Sequence, residues 1–366
     1  MICTSILLLF SGACAHVAGK PSASAALSEH PSIVLFPLEN LSGGPAPLKA
    51  IRESYRAELV KRGIVPIDDE TMEGFMAKNR IRYTAGINGA TGEALRSEIG
   101  ANAVLMTSVE LYTESAPPKI AIISRLVSSG PHPEILWADG AGMAGDETPG
   151  LLDLHLVNDP NVLKGRTVES LAVSLSNYLR EPNHAHASGA AKGKFAPKIS
   201  YQDEDMDKGK ARVAVAPFFN RSNRKNGGEL MALHFIVSLK RSGRYNVVEP
   251  GLVRDLFLNR RIIMDDGISY VDADSLFSGL DIDLVLTGKV TDYQDYEGAY
   301  GEPIVAFSTQ LMQREDWKVI WSSMSRNEGN DRVFFFDLGK VNTAYLMASQ
   351  MTRSVTEKMV TNEGVK

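Results

Sequence analysis

The feature that most constrains the fold is a ten-residue segment that occurs twice. VAVAPFFNRS at residues 213–222 repeats the pattern of IVLFPLENLS at residues 33–42, with Pro, Asn and Ser in step 180 residues apart (217 − 37). Each copy is a short apolar run closed by Pro and an Asn-x-Ser turn, a pattern typical of a buried strand that ends at the rim of a sheet. The chain is therefore predicted to contain two copies of one domain.

Hydrophobic spacing extends the duplication over both halves of the chain. It predicts an α/β (α+β) fold with the order β-α-β-α-α-β-β-β-α in each copy, which gives a mixed sheet with helices packed on it. A short strand is expected at Ile64–Ile67, and Trp137 and Trp321 are interpreted as packing residues. The two domains are expected at residues 31–181 and 211–361. Residues 182–210 have almost no apolar periodicity and are interpreted as an interdomain linker.

The beginning of the chain has the pattern of a secretion signal. An apolar core, Ile6–Phe10, is followed by small residues and then by Cys14. This arrangement resembles a bacterial lipoprotein box, which implies a signal peptide at residues 1–13 and acyl chains such as palmitate on Cys14. Residues 14–30 are then a flexible tether, because Ala, Ser, Gly and Pro cannot bury a core. An ordinary cleaved signal or a disordered tail is the alternative. The missing Lys or Arg before the apolar core is consistent with a start upstream of Met1.

Charge and cysteine content exclude several classes of function. Lys and Arg number 39 against 44 Asp and Glu, so the chain lacks the basic balance of a general nucleic-acid binder. A basic turn at Arg221, Arg224 and Lys225 is interpreted as a solvated loop. Cys3 and Cys14 are the only cysteines, so the folded part has neither a disulfide nor a Cys-rich metal site.

No motif predicts a catalytic residue, a cofactor or a metal. His184-x-His186 stands in the predicted linker without a Cys or carboxylate at ligand spacing, so solvated histidines are favoured. Asp272-x-Asp274 begins like a calcium loop but lacks its later ligands, which favours capping of the following helix. Asn40 and Asn220 match the glycosylation sequon, and a turn whose side chains bond the backbone is the favoured interpretation.

Three segments of the second copy carry a family resemblance. VAVAPFFNRS, YNVVEP and DIDLVLTGKV resemble the curli-secretion lipoprotein family (CsgG-like) and related envelope modules. Those modules include the lipoprotein activators of penicillin-binding proteins and the N-terminal domain of the Tol-system propeller protein. The resemblance implies a role in secretion, in assembly of surface material or in periplasmic scaffolding. Pore formation by this chain alone is not expected, because Ile120–Val127 does not alternate as a membrane hairpin must.

The sequence thus predicts a non-enzymatic lipoprotein, anchored to the outer membrane with its body most naturally on the periplasmic side. Its expected role is that of a scaffold or accessory in export or assembly of envelope components. Two alternatives are an activator that docks on a cell-wall synthase and an enzyme of unrecognised type. An envelope protein partner is expected, and a homo-oligomer is the other partner hypothesis.

Overall fold

A computed structural model gives the structure of the protein and describes residues 31–147, 156–182, 195–203, 206, 210–263, 267–296, 302–331, 333 and 339–361. All of these belong to one compact unit, Pro31–Lys366, while the second unit, Met1–His30, lies outside the described residues. The predictions of a signal peptide, a lipidated Cys14 and a tether therefore all fall outside the described residues.

The first repeat follows the predicted order with one exception. Its elements are β1 (Ile33–Leu35), β2 (Glu39–Asn40), α1 (Leu48–Lys61), α2 (Asp69–Lys78), α3 (Gly89–Ile99), β3 (Ala103–Thr113), β4 (Lys119–Ser128), β5 (Ile135–Ala144) and α4 (Pro160–Arg180). Strands β1 and β2 are parallel to β3, and β3, β4 and β5 form an antiparallel meander.

The exception is the strand predicted at Ile64–Ile67, which is not formed. A single backbone hydrogen bond joins this segment to β1, from the N–H of Ile67 to the carbonyl of Ile33 at 2.8 Å. Pro66 has no N–H to donate, so a regular ladder cannot develop around it. The corresponding segment of the second repeat lacks a proline and forms a strand parallel to its neighbour.

The second repeat has the same order of elements and two additional strands, Ile199–Gln202 before it and Tyr245–Val247 in the place of Ile64–Ile67. Its elements are β6 (Ile199–Gln202), β7 (Ala211–Val215), β8 (Phe219–Asn220), α5 (Gly227–Arg241), β9 (Tyr245–Val247), α6 (Pro250–Arg260), α7 (Tyr270–Leu280), β10 (Leu284–Gln294), β11 (Ile304–Gln313), β12 (Val319–Glu328) and α8 (Ala344–Val360). The strand order in the second sheet is β6-β12-β11-β10-β7-β9, and β8 pairs with β10.

The stretch that was interpreted as a linker is partly structured. Strand β6 lies inside it and pairs antiparallel with β12, and Phe195 and Met206 are buried in the hydrophobic core. Short alternation with exposed apolar side chains does not distinguish such a strand from a linker in the sequence alone. The pairing with β12, more than a hundred residues away, stabilises β6.

Strand pairing confirms the tandem duplication. A bulge interrupts the first hairpin after Val109 and the second after Val290, 181 residues later (290 − 109). Each bulge lies beyond the part of its strand that pairs in parallel with the first strand of the repeat. Those parallel pairs are Ile33–Leu35 with Ala103–Leu105 and Val213–Val215 with Leu284–Leu286. Trp137 and Trp321 are both buried, which confirms their packing role.

The two Asn-x-Ser segments form the same turn. In the first, the Asn40 side chain accepts hydrogen bonds from the N–H and the hydroxyl of Ser42, and its amide donates to the carbonyl of Gly44 at 2.9 Å. In the second, Asn220 makes the same bonds to Ser222 and to the carbonyl of Arg224, here at 2.7 Å. The prediction that these are backbone-bonding turns is confirmed.

The two repeats pack head to tail through helix α5. From Gly227 to Leu239, every residue of this helix except Glu229 is buried, so the helix is covered on all sides. One side packs on the second sheet and the other reaches the first sheet, where α5 contacts β5. Its counterpart α1 buries only Ile51, Tyr55 and Leu59. One hydrophobic core therefore contains residues of both repeats, and a second, smaller one lies within the second repeat.

Glycines in the first sheet make room for the second repeat. The side chain of Tyr345, at the start of α8, lies so close to Gly140 and Gly142 that a Cβ on either glycine would stand 2.5 Å or less from its hydroxyl or its ring, respectively. The equivalent positions of the second sheet, 184 residues later (324 − 140), are the exposed Met324 and Arg326. The open face of the second sheet therefore cannot receive another such helix in the same way.

Candidate functional site

A cleft of about 540 Å³ lies at the junction of the two repeats. Its walls are the first Asn-x-Ser turn, the ends of β3 and β10, the segment before β4 and the loop before α5. The lining residues are Ser42, Gly43, Gly44, Leu111, Tyr112, Thr113, Ser115, Pro117, Lys119, Asn223, Arg224, Lys225, Tyr293, Gln294, Asp295 and Tyr296. The cleft thus exists only because the second repeat packs against the first.

Lys119 is the most buried of the cations that line the cleft. Its ammonium donates to the carbonyl of Tyr296 at 2.9 Å and lies 3.4 Å from the centre of the Tyr296 ring. Burial lowers the pKa of Lys119, while the carboxylates of Asp295 and Asp146 oppose that effect. The lysine begins β4, and its position is fixed by the antiparallel pairing of Lys119 with Thr113.

Arg224 and Lys225 contribute two further cations from the loop before α5. One terminal nitrogen of the half-buried Arg224 donates to the carbonyl of Glu110 in the first repeat, so the guanidinium joins the repeats. The Nε of Arg224 is buried and has no hydrogen-bond partner among the described residues. Lys225 is exposed. The prediction of a solvated basic loop thus describes Lys225 but is wrong for Arg224.

Asp295 is the one acidic residue among the described residues of the lining. It follows β10, and its carboxylate accepts the N–H of Ala344, the first residue of α8, at 2.9 Å. Burial raises the pKa of Asp295, while that hydrogen bond and the charges of Lys119 and Arg224 oppose the rise. The carboxylate is therefore engaged by the protein itself.

A buried polar network lies beneath the cleft. The hydroxyl of Tyr293 donates to one oxygen of Glu110, and the other oxygen is 3.0 Å from Nε2 of His234. That nitrogen is also 3.2 Å from the Tyr293 hydroxyl. With a single proton on Nε2, His234 donates to only one of the two. Burial, reinforced by the Glu110 charge, raises the pKa of Tyr293 far above its ordinary value, so the phenol stays protonated.

This network could not be predicted from the sequence, because its members are widely separated in the chain. Glu110 and Tyr293 are 183 residues apart and come from different repeats. For the basic wall of the cleft, in contrast, comparison of the two turns offers a weak sequence signal. The second turn carries Arg224 and Lys225 where the first has Gly44 and Pro45, 180 residues earlier (224 − 44).

The other residues singled out in the sequence fall in two groups. Cys14, His184 and His186 lie outside the described residues. Asp272 forms a capping box with Ser269 at the start of α7, which confirms its capping role. Within the described ranges, no cluster of three or more His, Cys, Asp and Glu side chains has the geometry to hold a metal ion. The helices of that part include none with the length and apolarity needed to cross a membrane.

Comparison with known proteins gives limited similarity. No protein-family model matches the sequence, and no protein of curated function is significantly similar to it. Among solved structures, the PelC dodecamer from Paraburkholderia phytofirmans is similar at 15% identity, with 43% of this chain and 96% of that chain covered and a TM-score of 0.29. Lipoprotein GNA1162 from Neisseria meningitidis is similar at 21% identity, with coverages of 40% and 96% and a TM-score of 0.30.

A third similar structure is the LpoB C-terminal domain from Salmonella enterica, at 16% identity, with 34% of this chain and 86% of that chain covered and a TM-score of 0.26. At TM-scores this low, the three likenesses carry no weight for function.

Proposed function

We propose that the protein is a lipid-anchored accessory protein of the bacterial cell envelope, held at the periplasmic face of the outer membrane, that acts as a scaffold in export or assembly of envelope components. The observation that carries the proposal is the lipoprotein-like segment Phe10–Cys14 at the beginning of the chain, followed by a stretch without core-forming residues and then by a folded body. An acylated Cys14 with several chains anchors stably, since one chain alone binds a membrane only marginally.

The predicted tether determines how far the folded body can act from the membrane. A flexible tether of the predicted length would have a root-mean-square span of roughly 20 Å and a maximum of roughly 55 Å. A partner within that distance of the membrane surface is therefore accessible to the body. This range suits a scaffold for envelope proteins better than a freely diffusing factor.

A non-enzymatic role belongs to the same proposal. Glu110, His234 and Tyr293 contact one another in the buried network, and none of them presents a free base or nucleophile to the cleft. A tyrosine with a strongly raised pKa cannot act as a base near neutral pH. The network is instead suited to fixing the two repeats relative to each other, since its contacts between Glu110 of the first repeat and Tyr293 and His234 of the second are buried.

The anchoring is tested by metabolic labelling with palmitate in intact cells. The wild-type chain and Cys3→Ser, a matched control with the other cysteine removed, are expected to incorporate label and to sediment with the outer membrane. Cys14→Ser is expected to lose both properties. An unlabelled wild-type chain, or a Cys14→Ser variant that stays equally membrane-bound, would contradict the anchoring.

The role is tested by photo-crosslinking in intact cells. A crosslinking residue at the exposed Met324, on the open face of the second sheet, is compared with one at the exposed Lys49 on α1. Capture of a component of an export or assembly system supports the proposal. Capture of a cell-wall synthase favours the second candidate, an activator of that synthase, and capture of neither class at any exposed position would contradict both roles.

A further inference from the structure

The charge of the cleft between the repeats is unbalanced in favour of cations. Among the described lining residues, Lys119, Arg224 and Lys225 are cations and Asp295 is the one carboxylate. That carboxylate accepts the first N–H of α8, so one of its oxygens is held by the protein itself. Cations confined in a partly buried cleft of low dielectric attract an anion more strongly than the same cations in water.

A guanidinium in the wall of the cleft is held in a fixed position. One terminal nitrogen of Arg224 donates to the carbonyl of Glu110 in the first repeat, and its Nε is buried. The half-buried guanidinium therefore lines the cleft without having to be ordered by a ligand. Planar guanidinium donors match the oxygen pairs of phosphate and carboxylate groups.

Comparison of the two repeats shows that this arrangement is specific to the junction. The two Asn-x-Ser turns share their hydrogen bonds, yet only the second carries Arg and Lys, and the first carries Gly43 and Gly44 on the opposite wall. A Cβ on Gly43 would come within 3.5 Å of the Arg224 guanidinium, whereas a Cβ on Gly44 would have no heavy atom within 4 Å. The glycine turn thus leaves open the space that the basic turn faces.

From these observations we infer that the cleft binds a phosphate-bearing ligand through Arg224, Lys225 and Lys119. Its volume of about 540 Å³ is in the range of sites for small organic molecules, well above the size of a lone inorganic ion. The ligand is therefore an organic phosphate, whose source is either a soluble metabolite or the headgroup of an anionic lipid. This inference is independent of the scaffold role, so phosphate binding can be disproved while the scaffold proposal stands.

The test uses Gly44, because this position allows a charge to be added without steric cost. Gly44→Asp places a carboxylate in the cleft, and Gly44→Asn places a neutral side chain of the same shape there. Both leave the carbonyl of residue 44 available to Asn40, so the turn is retained. The full chain carrying Cys14→Ser serves as the background, and circular dichroism checks that each variant is folded.

Two probes distinguish the two sources. Inorganic pyrophosphate is titrated by calorimetry, and sedimentation is measured with vesicles of phosphatidylglycerol and, as a control, of phosphatidylcholine. Binding is expected to be weakened about tenfold by Gly44→Asp and about threefold by Lys225→Ala, and to be unchanged by Gly44→Asn and by Lys49→Ala on α1. It is also expected to weaken with added salt.

Pyrophosphate binding with this variant pattern supports a soluble phosphate ligand. Sedimentation with phosphatidylglycerol alone, with the same pattern, supports a lipid headgroup. Absence of saturable binding to both probes, or equal affinity of Gly44→Asp and Gly44→Asn, would overturn the inference.

Discussion

The ion pair between Arg125 and Glu249 provides the sharpest test of how the two repeats are held together. Arg125 lies on β4 of the first repeat and is 2% exposed, and Glu249 precedes α6 in the second and is 0% exposed. Two nitrogens of the guanidinium contact the two carboxylate oxygens at 3.1 and 3.2 Å. The perturbation is a double-mutant cycle of Arg125→Met and Glu249→Gln.

The expected costs follow from what each substitution leaves behind. Arg125→Met leaves the Glu249 carboxylate buried without its cation and removes a donor from the carbonyl of Ala85, so we expect a loss of about 5 kcal/mol in the free energy of unfolding. Glu249→Gln is expected to cost about 3 kcal/mol, because Arg125 still interacts with the charge of Glu39 and the new amide can still cap α6.

The double variant should cost far less than the sum. With both charges gone, the remaining losses are the hydrogen bond to Ala85 and part of the helix cap, at about 1 kcal/mol each. The coupling free energy that these costs imply is therefore about 6 kcal/mol. A surface ion pair would give less than about 1 kcal/mol.

Urea unfolding measures all four proteins, with tryptophan fluorescence and circular dichroism as probes. Trp137 reports on the first repeat, while Trp317 and Trp321 report on the second. In Trp137→Phe, the tryptophan fluorescence therefore comes from the second repeat alone. Because one core spans both repeats, the two signals of the wild type should change together. A coupling free energy below about 1 kcal/mol, or wild-type repeats that unfold separately, would refute the reasoning.

Three further predictions concern burial at other positions. Burial, reinforced by the Glu39 charge, raises the pKa of Glu229 to about 7 from 4.5, so the folded state holds this proton more tightly than the unfolded one. Through this group, the free energy of unfolding should therefore fall by about 1–3 kcal/mol between about pH 4.5 and about pH 7. The urea midpoint should fall less over this pH range in Glu229→Gln than in the wild type, and an equal fall in both proteins would contradict the prediction. Gly142→Val should clash with the ring of Tyr345 and lower the free energy of unfolding by about 1–3 kcal/mol. Gly74→Ala in α2, with open space around its Cβ, should raise the free energy of unfolding by about 0.5–1 kcal/mol. Thermal melts in which both variants change stability in the same direction would contradict the prediction. Further copies of the unlipidated chain should not associate through the kind of surface that joins its two repeats, because the buried Leu233 of α5 corresponds to the exposed Glu53 of α1. Light scattering should therefore give a mass near 39.8 kDa. An oligomer formed through another surface should be unaffected by Glu53→Ala, and an oligomer that this variant alters would contradict the prediction.

Much of the fold could be predicted from the sequence because the duplication allowed each half to support the other. The order of elements, the Asn-x-Ser turns and the packing role of the tryptophans are properties of local pattern and burial, and the structure has them as predicted. The strand at Ile64–Ile67 was wrong because agreement with the second repeat outweighed a local fact, the missing N–H of Pro66. Strand β6 was missed because its stabilisation comes from a distant strand.

The candidate site could not be predicted in the same way. Lys119 and Arg224 appear unremarkable in the sequence, since one begins a strand and the other stands in a polar loop. Their proximity, and the buried contact of Glu110 with Tyr293 and His234, result from packing α5 and α8 of one repeat on the sheet of the other. The duplicated pattern indicates that two such units exist and is silent on how they are docked.

The sequence by itself thus determined the number of repeats, their internal order and the lipoprotein-like beginning, because these depend on periodicity and on short contiguous segments. Only the tertiary structure decided that the repeats share a core and that a cationic cleft lies between them. The physical reason is that the contacts at the junction join residues more than a hundred positions apart, whose mutual burial no local pattern encodes.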